Sequence, residues 1–274
     1  MQLRVVTLNI WNDEGDAAAR LGVINAELRR LEPDLVALQE VLPDQLPLLF
    51  AGTGLHATHQ SQVAVTMPAR SDEYGGNAVA SRWPHRVVEA LDLRSHTDRD
   101  LAWLTLAAHV PLPELGEVLF IAPTTSFRLD AEVERERQVL ALSDLDARHR
   151  TELPTIMAGD FNAAPDTAGI RFLTGRRSLS GRSVYYHDAW EVAGIGPGDT
   201  WTADNPQALP DIEQLVRQPG HRRRIDYIFV GGPYAHPNAY ARIRSAALAF
   251  DKPVDGVQAS DHYGVVADLD VGPA

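Results

Sequence analysis

In residues 157–166, MAGDFNAAPD, an apolar run that starts at Thr155 and passes through Ile156, Met157 and Ala158 ends abruptly in Gly159-Asp160-Phe161-Asn162. A strand that only filled a core would close on turn residues and stop. This one closes by presenting a carboxylate and a carboxamide two residues apart, and alternation along an extended chain would send Asp160 and Asn162 the same way. The stretch is either a tidy turn or half of a reaction centre.

Outward from it, strand-like runs recur at 3–10, 34–39, 77–82, 86–93, 101–110, 117–122, 225–230, 240–249 and 264–271, with 155–160 among them. Helix-like segments lie between. In 16–31, Ala17, Leu21, Ile24, Leu28 and Leu31 repeat at helical spacing and give one buried stripe. Segment 130–149 is charged but carries Val133, Val139, Leu142 and Leu145, which predicts a second, surface helix. HDAWEVAG (187–194) reads as a short helix closed by Gly194. The stretches 60–76 and 195–222 are rich in Gly, Pro, Ser and Asp, lack periodicity, and read as long loops. No repeat and no low-complexity linker divides the chain, so a single domain over 1–274 is expected, with a mixed sheet pair flanked by helices.

Composition narrows the function. A 45% hydrophobic fraction in 274 residues suits a globular protein with a full core. No apolar run approaches the about 20 residues that span a bilayer. Met1 leads straight into LRVVTLNI, so no signal peptide is expected and the cytoplasm is the expected compartment by default; no cysteine is present to form disulfides or thiolate metal sites. The net charge of −12 argues against a protein that grips duplex DNA by neutralising phosphates; only HRRR (221–224) is locally basic. A phosphate-cleaving protein that recruits a cation is still allowed, because the metal supplies the positive charge.

The strand ends collect the chemistry. Asn9 leaves the first strand, and Glu40 leaves the second directly after Gln39. TIMAGDFN delivers Asp160 and Asn162. RRRIDYIFV puts Asp226 at the entrance of a strand, on the face shared with Ile228 and Val230; ASDHYGVVADL puts Asp261 and His262 just before the last strand. Each has a plainer reading. Asn9 suits a turn, Glu40 a solvated end, Asp160 a helix N-cap, Asp226 a pair with Arg224, and His262 the surface. Their joint order is what separates the readings.

TLNIW, QE, GDFN, RIDYIF and SDH, in this order and spacing, resemble the endonuclease/exonuclease/phosphatase superfamily; GGNAVASRWP (75–84) and GDTW (198–201) add to the likeness, which runs from residue 3 to about 270. The resemblance implies a deoxyribonuclease I-like α/β fold, a four-layer sandwich of two facing mixed sheets with helices outside. It implies hydrolysis of phosphate esters by in-line attack of water, assisted by Mg²⁺ or Mn²⁺. Under it Glu40 is the main metal ligand, with Asn9 and Asp261 near. Asp160 and Asn162 orient or deprotonate the water, and His262, oriented by Asp226, stabilises the transition state or acts as acid–base partner. Electrostatics agrees: four crowded carboxylates would raise one another's pKa values, and a hard cation with oxygen ligands relieves them. The expected substrate is a small phosphoester, with nucleic acid close behind. No membrane contact and no protein partner is expected, and the expected state is a monomer.

One departure stands out. Many members carry a Thr-His-Leu motif before the long helix, and its histidine contributes to catalysis. Here FIAPTTSFRLDAEVERERQ (120–138) has no histidine; Thr124 or Ser126 takes the place. His262 then works alone, or another side chain such as His109 or Tyr74 fills the gap, or activity is reduced. The rival reading is a phosphoester-binding module with an intact metal site and little turnover. Trp11 and Trp201 are candidates to stack on a base or sugar. No G-x-S-x-G elbow and no P-loop pattern is present.

Overall fold

The computed structural model describes residues 1–63, 74–94, 101 and 103–274. In chain order the elements are β1 (Gln2–Asn9), α1 (Ala17–Leu31), β2 (Leu35–Val41), α2 (Leu46–Leu49), β3 (His56–His59), β4 (Gly76–Ser81), β5 (Arg86–Asp92), β6 (Leu104–Leu112), β7 (Gly116–Ala122), α3 (Glu132–His149), β8 (Ile156–Asp160), α4 (Ala168–Leu173), β9 (Tyr186–Asp188), α5 (Ala189–Ala193), β10 (Trp201–Thr202), α6 (Leu209–Asp211), β11 (Arg222–Arg223), β12 (Asp226–Gly231), β13 (Ala239–Ala249) and β14 (Gly264–Pro273). One six-stranded sheet has the order β13-β14-β1-β2-β4-β3, and the other β5-β6-β7-β8-β12-β9. Both are mixed: β1–β2 and β7–β8 are parallel pairs, bridged by α1 and α3, and the remaining pairings are antiparallel.

Alternation along the strands builds the layers. Leu3, Val5, Leu35 and Ala37 of one sheet share a core with Leu106, Phe120, Ala158 and Ile228 of the other, so these faces pack together. The opposite face of the first sheet, with Val6, Leu8, Val36 and Leu38, buries the α1 stripe of Leu21, Ile24, Leu28 and Leu31. The opposite face of the second, with Leu119, Ile121, Met157 and Phe229, buries Val139, Leu142 and Leu145 of α3. Each fully buried aliphatic side chain contributes about 1.5–3 kcal/mol, so the three interfaces supply most of the driving force. The result is the expected four-layer sandwich.

Local signals set the helix ends. Asp16 Oδ1 accepts from the Ala19 amide at the start of α1, and Glu32 closes it in a left-handed conformation (φ 48°) just before Pro33. In α3, Glu132 and Glu134 in the first turn and Arg148 and His149 in the last complement the helix dipole. Of the four apolar residues noted in this helix, Val133 is exposed: it lies in the first turn, ahead of the part of α3 that meets the sheet.

Two loop expectations need qualification. Residues 195–222 are not structureless: β10 pairs with β11, and Trp201, Ala208, Ile212 and Ile225 form a small apolar cluster beneath. Two-residue strands are too short to show a period, and the contacts that order them are non-local. Of 60–76, residues 64–73 lie outside the described part; Gln60–Gln62 forms a short 3₁₀ turn, and Gly76 already begins β4. Among the described residues no helix is long and apolar enough to cross a membrane.

Candidate active site

The polar strand ends continue the inter-sheet core to one rim. In β1 the positions Leu3 and Val5 lead by twos to Asn9; in β8, Ile156 and Ala158 lead to Asp160; in β12, Val230 and Ile228 lead back to Asp226. Asp226 and Asp160 are cross-strand partners. Glu40 would break the pattern, since Val36 and Leu38 face α1. A bulge between Leu38 and Val41, with Glu40 at φ 58°, switches the alternation so that Val41 takes the α1 side and Glu40 turns toward the rim.

The structure brings all seven expected residues together. Asn9 Nδ2 donates to Glu40 Oε1 at 2.9 Å and to Asp160 Oδ2 at 3.3 Å, while its Oδ1 accepts from the Trp11 amide at 3.0 Å. That amide fixes the orientation, so Asn9 shows its nitrogen to both carboxylates and links them. Asp160 Oδ1 accepts from the Asn162 amide at 2.8 Å, and Oδ2 from Asn162 Nδ2 at 3.0 Å. Asp160 and Asn162 do meet, but through a left-handed turn at Asn162 (φ 48°) rather than by strand alternation. His262 Nδ1 lies 3.0 Å from Asp226 Oδ2, and Nε2 lies 4.0 Å from Asp261 Oδ2. Ser260 Oγ donates to the Asn9 carbonyl at 2.6 Å and accepts from the His262 amide at 3.1 Å, tying the last loop to the end of β1.

The plainer readings find other owners. Arg224 pairs with Asp188 at 2.7 Å, not with Asp226. The N-cap residue of α4 is Thr167, not Asp160. His109 is not part of the site: its Nε2 meets the His149 carbonyl at 2.8 Å at the far end of α3. Thr124, one of the two positions that the resemblance offers for the family histidine, is buried and donates to Asn77 Oδ1 at 2.6 Å. Ser126 is buried as well, its amide donating to Gln138 Oε1 at 2.9 Å. Tyr74 lines the same cleft as His262.

Electrostatics follows from the crowding. Burial, then the Asp261 charge, pushes the Glu40 carboxyl up to about 7. Burial, then the facing Asp226, raises Asp160, and burial raises Asp261. Burial alone would lower His262; the charges of Asp226 and Asp261 and the hydrogen bond to Asp226 outweigh it and hold the imidazole well above its usual range. Asp160, Asp226 and His262 each offer a ligand atom within 4.8 Å of the others. With Glu40 and Asp261 on the same cleft, the donor set of the rim is carboxylate oxygen with one imidazole and no sulfur, with more negative charge than His262 offsets. It fits a hard divalent cation.

A cleft of about 500 Å³ opens above these groups. Its lining, and the layer beneath it, include side chains that sequence reading did not single out. Asn12, buried at φ 35°, donates from Nδ2 to Glu40 Oε2 at 3.1 Å. Arg20, fully buried on α1, donates to the carbonyls of Ile10, Trp11, Asn12, Glu14 and Ala259 and so holds the loop that carries Asn12. Arg223 reaches the cleft from HRRR and donates to the Asn162 carbonyl at 2.8 Å. Trp103 and Phe127 form one wall. An Asn in a turn and an Arg inside an apolar stripe carry no sequence signal of their own; HRRR is visibly basic, but nothing in it separates Arg223 from its neighbours.

Known proteins share this architecture. The chain is similar to an endonuclease/exonuclease/phosphatase from Bacteroides vulgatus, 19% identical, with a TM-score of 0.71 over 99% of this chain and 100% of that one. It is similar to D. rerio TDP2 solved with a single-strand DNA product, 20% identical, with a TM-score of 0.74 over 98% and 99% of the two chains. Among curated proteins it is 24% identical over 208 residues to Protein angel of Drosophila melanogaster, which covers 72% of this chain and 58% of that protein. The chain thus spans a little over half the length of that relative. The model of the endonuclease/exonuclease/phosphatase family matches residues 6–262, from within β1 to the imidazole beside Asp226, and the chain belongs to that family.

Proposed function

We propose that this protein hydrolyses phosphate esters with a divalent cation, Mg²⁺ or Mn²⁺, bound by Glu40 with Asp261, while Asn9 and Asn12 hold the Glu40 carboxylate in place. The observation that carries this reading is the convergence of Glu40, Asp160, Asn162, Asp261 and the Asp226–His262 pair on one cleft. The cation, when bound, supplies Lewis-acid stabilisation of charge on the phosphoryl oxygens. Asp160, with its carboxyl raised toward neutrality, is matched to take a proton from the attacking water. Asn162 locks the Asp160 carboxylate through both its amides. Asp226 holds His262 by Nδ1, which leaves Nε2 as the donor toward the cleft. As an imidazolium it stabilises negative charge on the phosphoryl group or protonates the leaving oxygen.

A small phosphoester is the favoured substrate, with nucleic acid second. The D. rerio neighbour's DNA product supports the second; the net charge of −12 weighs against a long polyanion. The binding-module reading is favoured by one observation: both candidate positions for the family's histidine, Thr124 and Ser126, are buried and hold no imidazole.

The test is hydrolysis of bis-p-nitrophenyl phosphate and of plasmid DNA side by side, with Mg²⁺, Mn²⁺ or EDTA. The expected result is cation-dependent turnover that is lost in His262→Ala, Glu40→Gln and Asp160→Asn. Cation binding without turnover over hours would favour the binding module.

A further inference from the structure

The cleft is built for more than a phosphate. Three of the chain's five tryptophans line it: Trp11, Trp103 and Trp201. Phe127 stands 40% exposed beside the reacting groups and is braced from behind by Trp103, edge to face at 6.2 Å and 67°. Leu215 is 55% exposed and lines the same cleft. Large apolar groups left open at a reaction centre are informative where scattered exposed ones are not.

Charge limits what can lie there. The lining has five carboxylates, Glu14, Glu40, Asp160, Asp211 and Asp261, and among its described residues one arginine, Arg223. Past the phosphate at the centre, further phosphates of a strand would meet acids instead of cations, so affinity would fall with each one added. An uncharged flat ring meets no such cost. Aromatic side chains take up such a ring at about 1–3 kcal/mol per stacked base.

We infer that the substrate is a phosphoester of nucleotide size whose flat aromatic ring packs against the Trp103–Phe127 wall while its phosphate sits at Glu40, Asp160 and His262. This rests on the phosphoesterase reading for the phosphate end only; the wall itself stands apart from turnover. Phe127 is a specificity-determining residue, and it discriminates by ring rather than by charge.

The experiment is calorimetric titration of the Mg²⁺-loaded protein with adenosine 5′-monophosphate and with ribose 5-phosphate, alongside hydrolysis of bis-p-nitrophenyl phosphate. Wild type should bind the nucleotide about ten-fold tighter or more, and Phe127→Ala should pull the ratio of the two affinities down toward one. Phe127 is exposed enough for the variant to fold, and Leu215→Ala gives a second, independent lowering of the ratio. Equal affinity for the two ligands in wild type, or a ratio unmoved in both variants, overturns the inference even if hydrolysis is robust. Ring preference with no hydrolysis under any cation overturns the phosphoesterase reading and leaves the wall standing. Affinity for oligothymidylate that climbs steadily with length beyond a dinucleotide also overturns it, in favour of a strand.

Discussion

His262 Nδ1 lies 3.0 Å from one oxygen of Asp226, while the other oxygen, Oδ1, is buried and accepts no hydrogen bond from any described residue. The carboxylate therefore directs its field at the imidazole and spends little on the backbone around it. Removing that charge in Asp226→Asn keeps the shape and lets burial dominate, so the His262 pKa falls. The expected outcome is a loss in kcat/KM of about 100-fold or more, with the alkaline limb of the pH–rate profile moved to lower pH. A profile that keeps its alkaline limb in the variant would separate His262 from that limb. Circular dichroism checks that the fold is intact.

Glu40 gives the stability profile a sign. Its carboxyl is raised to about 7 in the folded protein from a usual value of 4.5, chiefly by burial. The folded state thus holds the proton more tightly than the unfolded chain. This contribution is fully present below about pH 4.5 and is lost as pH rises through 7. In EDTA the protein should lose on the order of 2 kcal/mol between pH 5.5 and 8 from this group, a drop of several degrees in Tm. Glu40→Gln should flatten that slope. Added Mg²⁺ should raise Tm more at pH 8 than at pH 5.5, because protons compete for the same oxygens. Thermal scans across pH read all three.

Much of this site was legible because it obeys the same alternation as the core. Asp160 follows Ala158 and Ile156, and Asp226 precedes Ile228 and Val230, so a reader of strands finds acids where the next core residue should be. The layers were legible for the same reason. What was hidden depends on local departures from strand geometry or on contacts distant in sequence. Glu40 reaches the rim only through a bulge, and Asn162 reaches Asp160 only through a left-handed turn. Trp103 precedes β6 and Phe127 follows β7, and they become one wall only when those two strands pair. Arg20 sits within a stripe that an apolar period does not count.

Arg20 tests how far the site depends on what lies beneath it. Its guanidinium makes six hydrogen bonds of 2.6–3.1 Å to five carbonyls, four of them in the loop 10–14. An ammonium has neither the planar fork nor the reach to replace it. Arg20→Lys should cost about 3 kcal/mol in chemical denaturation, from buried carbonyls left without donors. Activity should fall beyond what Asn12→Ala alone causes, because Asn12 and Trp11 move together. Equal losses in the two variants would confine the role of Arg20 to stability.

Gly75 separates backbone strain from site geometry. It sits at φ 69°, and a Cβ there would lie 2.7 Å from the Glu40 carbonyl carbon and 2.7 Å from the Val41 oxygen. That is the bulge that turns Glu40 toward the rim, so the Gly75→Ala methyl has rigid backbone to displace, not a yielding side chain. A loss of about 2 kcal/mol or more is expected, from the left-handed conformation and the overlap together. Gly116→Ala supplies the comparison: its φ of 104° is also unfavourable for alanine, but nothing lies within 4 Å and the residue is in the β6–β7 hairpin. Both variants should lower Tm, while Gly75→Ala alone should weaken Mg²⁺ binding by calorimetry and lower kcat. If cation affinity survives in Gly75→Ala, the bulge is a stability feature and Glu40 does not depend on it for its aim.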